Sequence, residues 1–148
     1  MAYKHGAFSE QVPSQDRLPP SGVGTIPVYI GTAPLDGVED TASAINSPVI
    51  VYGFEDAKSK LGYSDDWAKF TLCEAMYAHF KNDIRAIGPI ILINVYDPEE
   101  HDEENPVAQA DIIGAIDANG KRSGIKCVEL VYQRLNVIPS VLAAPGWS

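Results

Sequence analysis

The chain has 148 residues, 45% of them hydrophobic and 21% charged, with a mean hydropathy of −0.08. Those values fit one compact soluble domain and exclude the composition of a disordered tail or a membrane protein. Acidic residues outnumber basic ones 20 to 11, for a net charge of −9. A nucleic-acid binder needs a basic face to displace counterions from phosphates. Here the basic residues are scattered apart from Lys121-Arg122, so no nucleic-acid partner is expected. The longest apolar run, Gly88 to Val95, is interrupted by Asn94. It falls far short of the ~20 residues that cross a bilayer, so no membrane insertion is expected either.

Residues 1–24 stand apart. The opening MAYKHGAFSE lacks the apolar stretch of a signal peptide, and Pro13, Pro19, Pro20, Gly22 and Gly24 follow it. Tyr3, Ala7, Phe8 and Val12 permit a short extended segment but not a self-sufficient strand, and Pro19-Pro20-Ser21-Gly22 breaks any ladder. The segment is either a disordered leader, which composition alone favours, or an arm that orders against something else.

The compact part, 25–148, begins with a strand, Ile26 to Thr32, with Pro27 near its start where a missing N–H is tolerated. Residues 33–47 read as a polar loop and Pro48 to Tyr52 as a second short strand. Phe54 to Leu61 reads as a helix stopped by Gly62. The best helix candidate runs from Ser64 to Asp83, with Ser64, Asp65 or Asp66 as cap and Leu72, Ala75, Met76 and His79/Phe80 at helical spacing. Ile90 to Tyr96 is nearly all apolar, the mark of a central strand covered on both faces. DPEEHDEEN, 97–105, is a solvated acidic loop. Ile112 and Ile113 precede Gly114. Lys121 to Asn136 reads as a second long helix with Ile125, Val128, Val131, Tyr132 and Leu135 on one stripe, and Val137 to Ala143 as a last strand. Alternating strands and helices predict an α/β domain with a layered sheet.

No motif points to catalysis, a metal or a cofactor. The acidic loop has no calcium-loop spacing. A phosphate loop ending at Gly120-Lys121 would need a glycine at 115, where alanine stands, and a hydroxyl at 122, where Arg122 stands. A calcium loop there would need an acid at 115 and a glutamate at 126, and the chain has Ala115 and Lys126. Asp117-Ala118-Asn119-Gly120 reads instead as an Asn-Gly turn. His5, His79 and His101 lack ligand spacing. With no export signal, Cys73 and Cys127 read as small buried hydrophobes in a reducing cytoplasm rather than as a disulfide.

Three stretches together resemble the contractile phage tail sheath family. Met1 to Glu10 and the Pro-rich link look like its extended N-terminal arm. Val23 to Ala33, VGTIPVYIGTA, is similar to the strand after the arm, ending in Gly-Thr-Ala. Ile112-Ile113-Gly114-Ala115, Ser123-Gly124 and NVIPSVLAAPGWS (136–148) match an Ile-Gly-Gly-like turn, a Ser-Gly helix start and a strand ending in Ala-Pro-Gly. Ala115 stands in place of the second glycine.

The resemblance implies a structural, non-enzymatic subunit of a prophage or Myoviridae-type contractile tail, assembled in the host bacterial cytoplasm and located in the virion tail. Its implied partners are other sheath subunits in a helical array, the inner tail tube and the baseplate. It also implies β-strand addition of the arm to a neighbour: Tyr3, Ala7, Phe8 and Val12 would be the interface, and residues 13–24, with Pro13, Pro19, Pro20, Gly22 and Gly24, the hinge. Family members continue beyond the Ala-Pro-Gly strand whereas this chain stops at Ser148. An N-terminal portion is therefore expected, one that does not form sheath-like polymers alone. A tail-end or baseplate capping protein, and a small α/β enzyme or ligand-binding domain, are the alternatives.

Overall fold

A computed structural model of the chain describes residues 26–81 and 88–147, so the expected arm and its hinge lie outside the described residues. The elements follow the order β1 (Pro27–Gly31), α1 (Thr41–Ala44), β2 (Pro48–Val51), α2 (Phe54–Leu61), α3 (Thr71–Phe80) and β3 (Ile90–Asn94). Then come α4 (Gln109–Ile113), a 3-10 helix (Gly124–Val128), α5 (Glu129–Leu135) and β4 (Val141–Ala143). The four strands form one sheet in the order β2-β3-β1-β4. β3 and β4 both run parallel to β1, and β2 runs antiparallel to β3.

The pleat sorts the strand residues into two cores, because successive side chains point to opposite faces. Ile90, Leu92 and Val51 pack with Ala57 and Leu61 of α2 and with Leu72, Met76 and Phe80 of α3. Val28, Ile30, Ile91 and Ile93 pack on the other face with Ile112 of α4, Cys127 of the 3-10 helix and Val131 of α5. The result is the three-layer α/β arrangement expected from the sequence. Every residue of β3 is buried, as its unbroken apolar run requires.

α2 has the predicted bounds. Glu55 and Asp56 lie in its first turn and Lys58 and Lys60 in its last, the arrangement that complements the helix dipole. Gly62 ends it at φ 74°, and a Cβ there would sit 2.7 Å from the Asp36 nitrogen.

Four expectations need correction, the first being the last strand, expected over Val137 to Ala143 and confined to Val141–Ala143. The loop 33–47 contains the one-turn helix α1 and carries buried Ala33, Leu35 and Ala44. The helix expected from Ser64 starts instead at Thr71. Ser64 and Asp66 spend their side chains on a turn, their oxygens accepting from the Asp66 and Lys69 N–H groups. The helix expected over 121–136 is a 3-10 turn followed by a short α-helix. Ile125, Val128, Val131 and Leu135 of the expected stripe do pack on the second core, joined by fully buried Cys127, whereas Tyr132 is 60% exposed.

Candidate functional site

The residues carrying the sequence motifs converge where the strands end. Each member of Gly31-Thr32-Ala33 has a separate task. Gly31 lets α3 approach, since a Cβ there would overlap Thr71 Oγ1. Thr32 caps α3 from a distance: its hydroxyl accepts from the Thr71 N–H (3.1 Å) and its carbonyl from the Leu72 N–H (3.0 Å). Two orphan N–H groups of a helix start are thereby satisfied, which is why α3 begins at Thr71 without a local side-chain cap. The Ala33 N–H donates to Asn94 Oδ1 at 2.8 Å.

Asn94 is the fully buried polar residue at the end of β3. Its Oδ1 also accepts from the Tyr96 N–H (3.0 Å), and its Nδ2 donates to the Tyr96 carbonyl (3.0 Å). The Asn94 carbonyl accepts from Asn46 (2.7 Å), and Asn46 Oδ1 in turn accepts from the Gly124 N–H (2.8 Å). Two asparagines therefore tie β1, β3, the α1–β2 link and the 3-10 helix together. Sequence reasoning missed both, though a lone Asn in an apolar strand was the available signal.

Gly114 and Gly124 face each other. Both have positive φ, 65° and 54°. A Cβ on Gly114 would overlap the Ser123 carbonyl, and one on Gly124 would overlap the Asp111 and Ile112 carbonyls. The Ala115 N–H then reaches Ser123 Oγ at 2.9 Å. The turn and helix-start motifs are thus two halves of one backbone contact.

A cleft of about 560 Å³ beside this contact is lined by Asn46, Asp97, His101, Asp111, Lys121 and Ser123, among others. That volume suits a small ligand, but most of its polar groups are already in use. His101, buried rather than solvated with the rest of its loop, accepts from the Asp97 N–H through Nδ1 (3.0 Å) and lies against Tyr96. Its Nε2 is 3.7 Å from Asp111 Oδ2, and that oxygen also accepts from the Ala108 N–H at the start of α4 (2.7 Å). The pair closes a loop onto a helix. Ser123 Oγ is held by the Ala115 backbone, and no general base adjoins it among these contacts.

Both cysteines are buried and free. Burial pushes the Cys127 thiol up to about 11 against the opposing charges of Arg134, Arg122 and Lys121, and burial likewise raises Cys73. Neither is a thiolate at neutral pH, so neither is a ready nucleophile. Among the described residues no group of three or more His, Cys, Asp or Glu could hold a metal ion.

In α/β sheets ligands favour the crevice where strand order reverses, beyond the strand ends. Here that place, lined by Thr32, Tyr96, Val107 and Trp147, encloses about 140 Å³, below the volume of an ordinary ligand site. The Trp147 ring packs against the second core, and its buried Nε1–H has no acceptor among the described residues.

Of the residues expected to act, Tyr3, Ala7, Phe8, Val12, Pro13, Pro19, Pro20, Gly22 and Gly24 all lie outside the described residues. What the structure brings together is the Gly-Thr-Ala strand end, the Ile-Gly turn and the Ser-Gly helix start.

The fold and these contacts define a layered α/β domain whose motif residues serve backbone packing. No protein-family profile matches the chain. Over 104 residues, 70% of its length, it is 32% identical to a protein of Pseudomonas aeruginosa (strain UCBPP-PA14) named as a prophage major tail sheath protein. Over that stretch the chain is similar to a phage tail sheath protein. The match spans 24% of the Pseudomonas protein's own length.

Proposed function

We propose that the chain is a structural subunit of a contractile phage tail sheath, with residues 25–148 as its body and residues 1–24 as an arm and linker. The observation that carries this reading is the similarity to the prophage tail sheath protein. The structure supports it by using the Gly-Thr-Ala, Ile-Gly and Ser-Gly residues for packing rather than for chemistry. In this reading Tyr3, Ala7, Phe8 and Val12 add to a sheet of a neighbouring subunit. Backbone hydrogen bonds supply adhesion and alternating side chains supply register. Residues 13–24, with Pro13, Pro19, Pro20, Gly22 and Gly24, form the hinge that keeps subunits joined while the array contracts. The partners are other sheath subunits, the inner tube and the baseplate, and the site of action is the virion tail.

A photo-crosslinker in place of Phe8, activated in tails isolated from producing cells, tests the arm. The expected result is covalent dimers and higher multimers of this chain. Products confined to the single chain would remove the strand-addition mechanism while leaving a tail location open.

A further inference from the structure

Although the chain carries a net charge of −9, three of its 11 basic residues meet in one cleft. The cleft, about 350 Å³, lies between the α1–β2 link, the 120–122 turn and α5. Asn46, Ser47, Lys121, Arg122 and Arg134 line it, and among the described residues no acidic side chain does. Its size is at the small end of ligand pockets. All three cations act on the buried Cys127 thiol, so their charges converge. Arg122 pairs with Glu129 at 2.8 Å, an exposed pair of little energy. Lys121 and Arg134 have no carboxylate partner among the described residues.

The acceptors of this cleft are largely spent within the fold. Ser47 Oγ, 9% exposed, accepts from Arg134 Nη1 at 2.6 Å. Asn46 Oδ1 accepts from the Gly124 N–H, and the Asn46 and Arg122 carbonyls accept from Cys127 Sγ. The Lys121 carbonyl is taken by the Asp117 N–H and the Gly120 carbonyl by Arg122 Nη1. What remains is donors: the Lys121 ammonium, the rest of two guanidiniums, the Asn46 amide and the Ser47 hydroxyl proton.

We propose that this cleft binds the phosphate group of a small phosphate monoester, with Lys121, Arg122 and Arg134 supplying charge and Asn46 and Ser47 neutral donors. A charged oxyanion offers acceptors only, which is what walls with free donors and spent acceptors select. The donors come from three separate segments, which suits a tetrahedral group. A planar carboxylate is satisfied by one bidentate arginine. A phosphate group also carries about −1.5 to −2 at pH 7, more than a carboxylate. The bond to buried Ser47 holds Arg134 in place, so less side-chain freedom is lost on binding. The cleft exceeds what a bare phosphate fills and leaves room for the carbon body of the ester. Net charge sets the ligand's size. Carboxylates farther than about 8 Å are screened from a small anion in physiological salt, whereas a polyanion would run across them. The proposal is independent of the sheath reading.

Nitrogen–proton correlation NMR of the purified 148-residue chain, titrated with glycerol phosphate, inorganic phosphate, acetate or matched sodium chloride, tests it. Saturable shifts centred on Asn46, Ser47, Lys121, Arg122 and the Arg134 guanidinium are expected, with the ester bound at least as tightly as inorganic phosphate. Arg134→Gln is expected to weaken ester binding at least about tenfold and Lys121→Gln about threefold. Far-UV circular dichroism checks that each variant is folded. Lys58→Gln, exposed on α2, leaves binding unchanged. Shifts reproduced by sodium chloride alone, acetate bound as tightly as the ester, or binding indifferent to both cleft variants would overturn the proposal. Inorganic phosphate bound more tightly than the ester would overturn it in favour of the free anion. A single-stranded oligonucleotide bound more tightly than the ester would overturn it in favour of a nucleic-acid chain.

Discussion

Replacing Asn94 with alanine is expected to lower stability by about 2–4 kcal/mol. The reason is what the change leaves behind. Asn94 Oδ1 is the acceptor for the Ala33 and Tyr96 N–H groups, and Nδ2 serves the Tyr96 carbonyl. Asn94 and Ala33 are both fully buried, so water does not replace the lost partner without the local structure opening. A typical net hydrogen bond contributes about 1 kcal/mol, but an orphaned buried donor costs its full desolvation. In a domain of this length the loss corresponds to a fall of about 5–15 °C in the melting midpoint. Urea unfolding followed by circular dichroism measures it. A change below about 0.5 kcal/mol would show that Asn94 is not what joins the ends of β1 and β3.

Gly114→Ala and Gly124→Ala are each expected to cost about 2–5 kcal/mol. Part is conformational, since positive φ penalises any Cβ by about 1–2 kcal/mol. The rest is overlap with backbone carbonyls of the facing segment, and backbone yields less readily than the end of a flexible side chain. Gly120 separates the two contributions. It also has positive φ, 80°, but a Cβ there meets nothing within 4 Å, so Gly120→Ala should cost only the conformational part. The double variant Gly114→Ala/Gly124→Ala should cost less than the sum of the single changes, because both disrupt the same contact. Equal losses at positions 114, 120 and 124 in urea midpoints would show that the close approach contributes nothing.

Much of the sheet was legible because its signals are local. Ile90 to Ile93 could only be a strand buried on both faces, and Gly62 ends α2 where a helix stop was expected. Non-local contacts account for the misses. The start of α3 is fixed by Thr32, 39 residues earlier in the chain, and nothing near Ser64 reveals this. The 3-10 turn begins where Gly124 meets the end of α4, a contact invisible to helical periodicity, so the expected stripe wrongly buried Tyr132. Asn46 looked like a loop residue until the structure placed it between Asn94 and Gly124. The motif residues stood out in the sequence, but what they do is tertiary: Gly31 serves α3, and Gly114 serves Gly124. The arm residues Tyr3, Ala7, Phe8 and Val12 lie outside the described region, and their role rests on resemblance.

The most direct test of the sheath assignment is immunogold labelling of lysates from producing cells with antibody to this chain, viewed by negative-stain electron microscopy. Label along the whole length of contractile tails is the expected result. Label confined to one tail end would contradict a sheath subunit in favour of a capping or baseplate protein, and unlabelled tails would contradict any place for this chain in the particle.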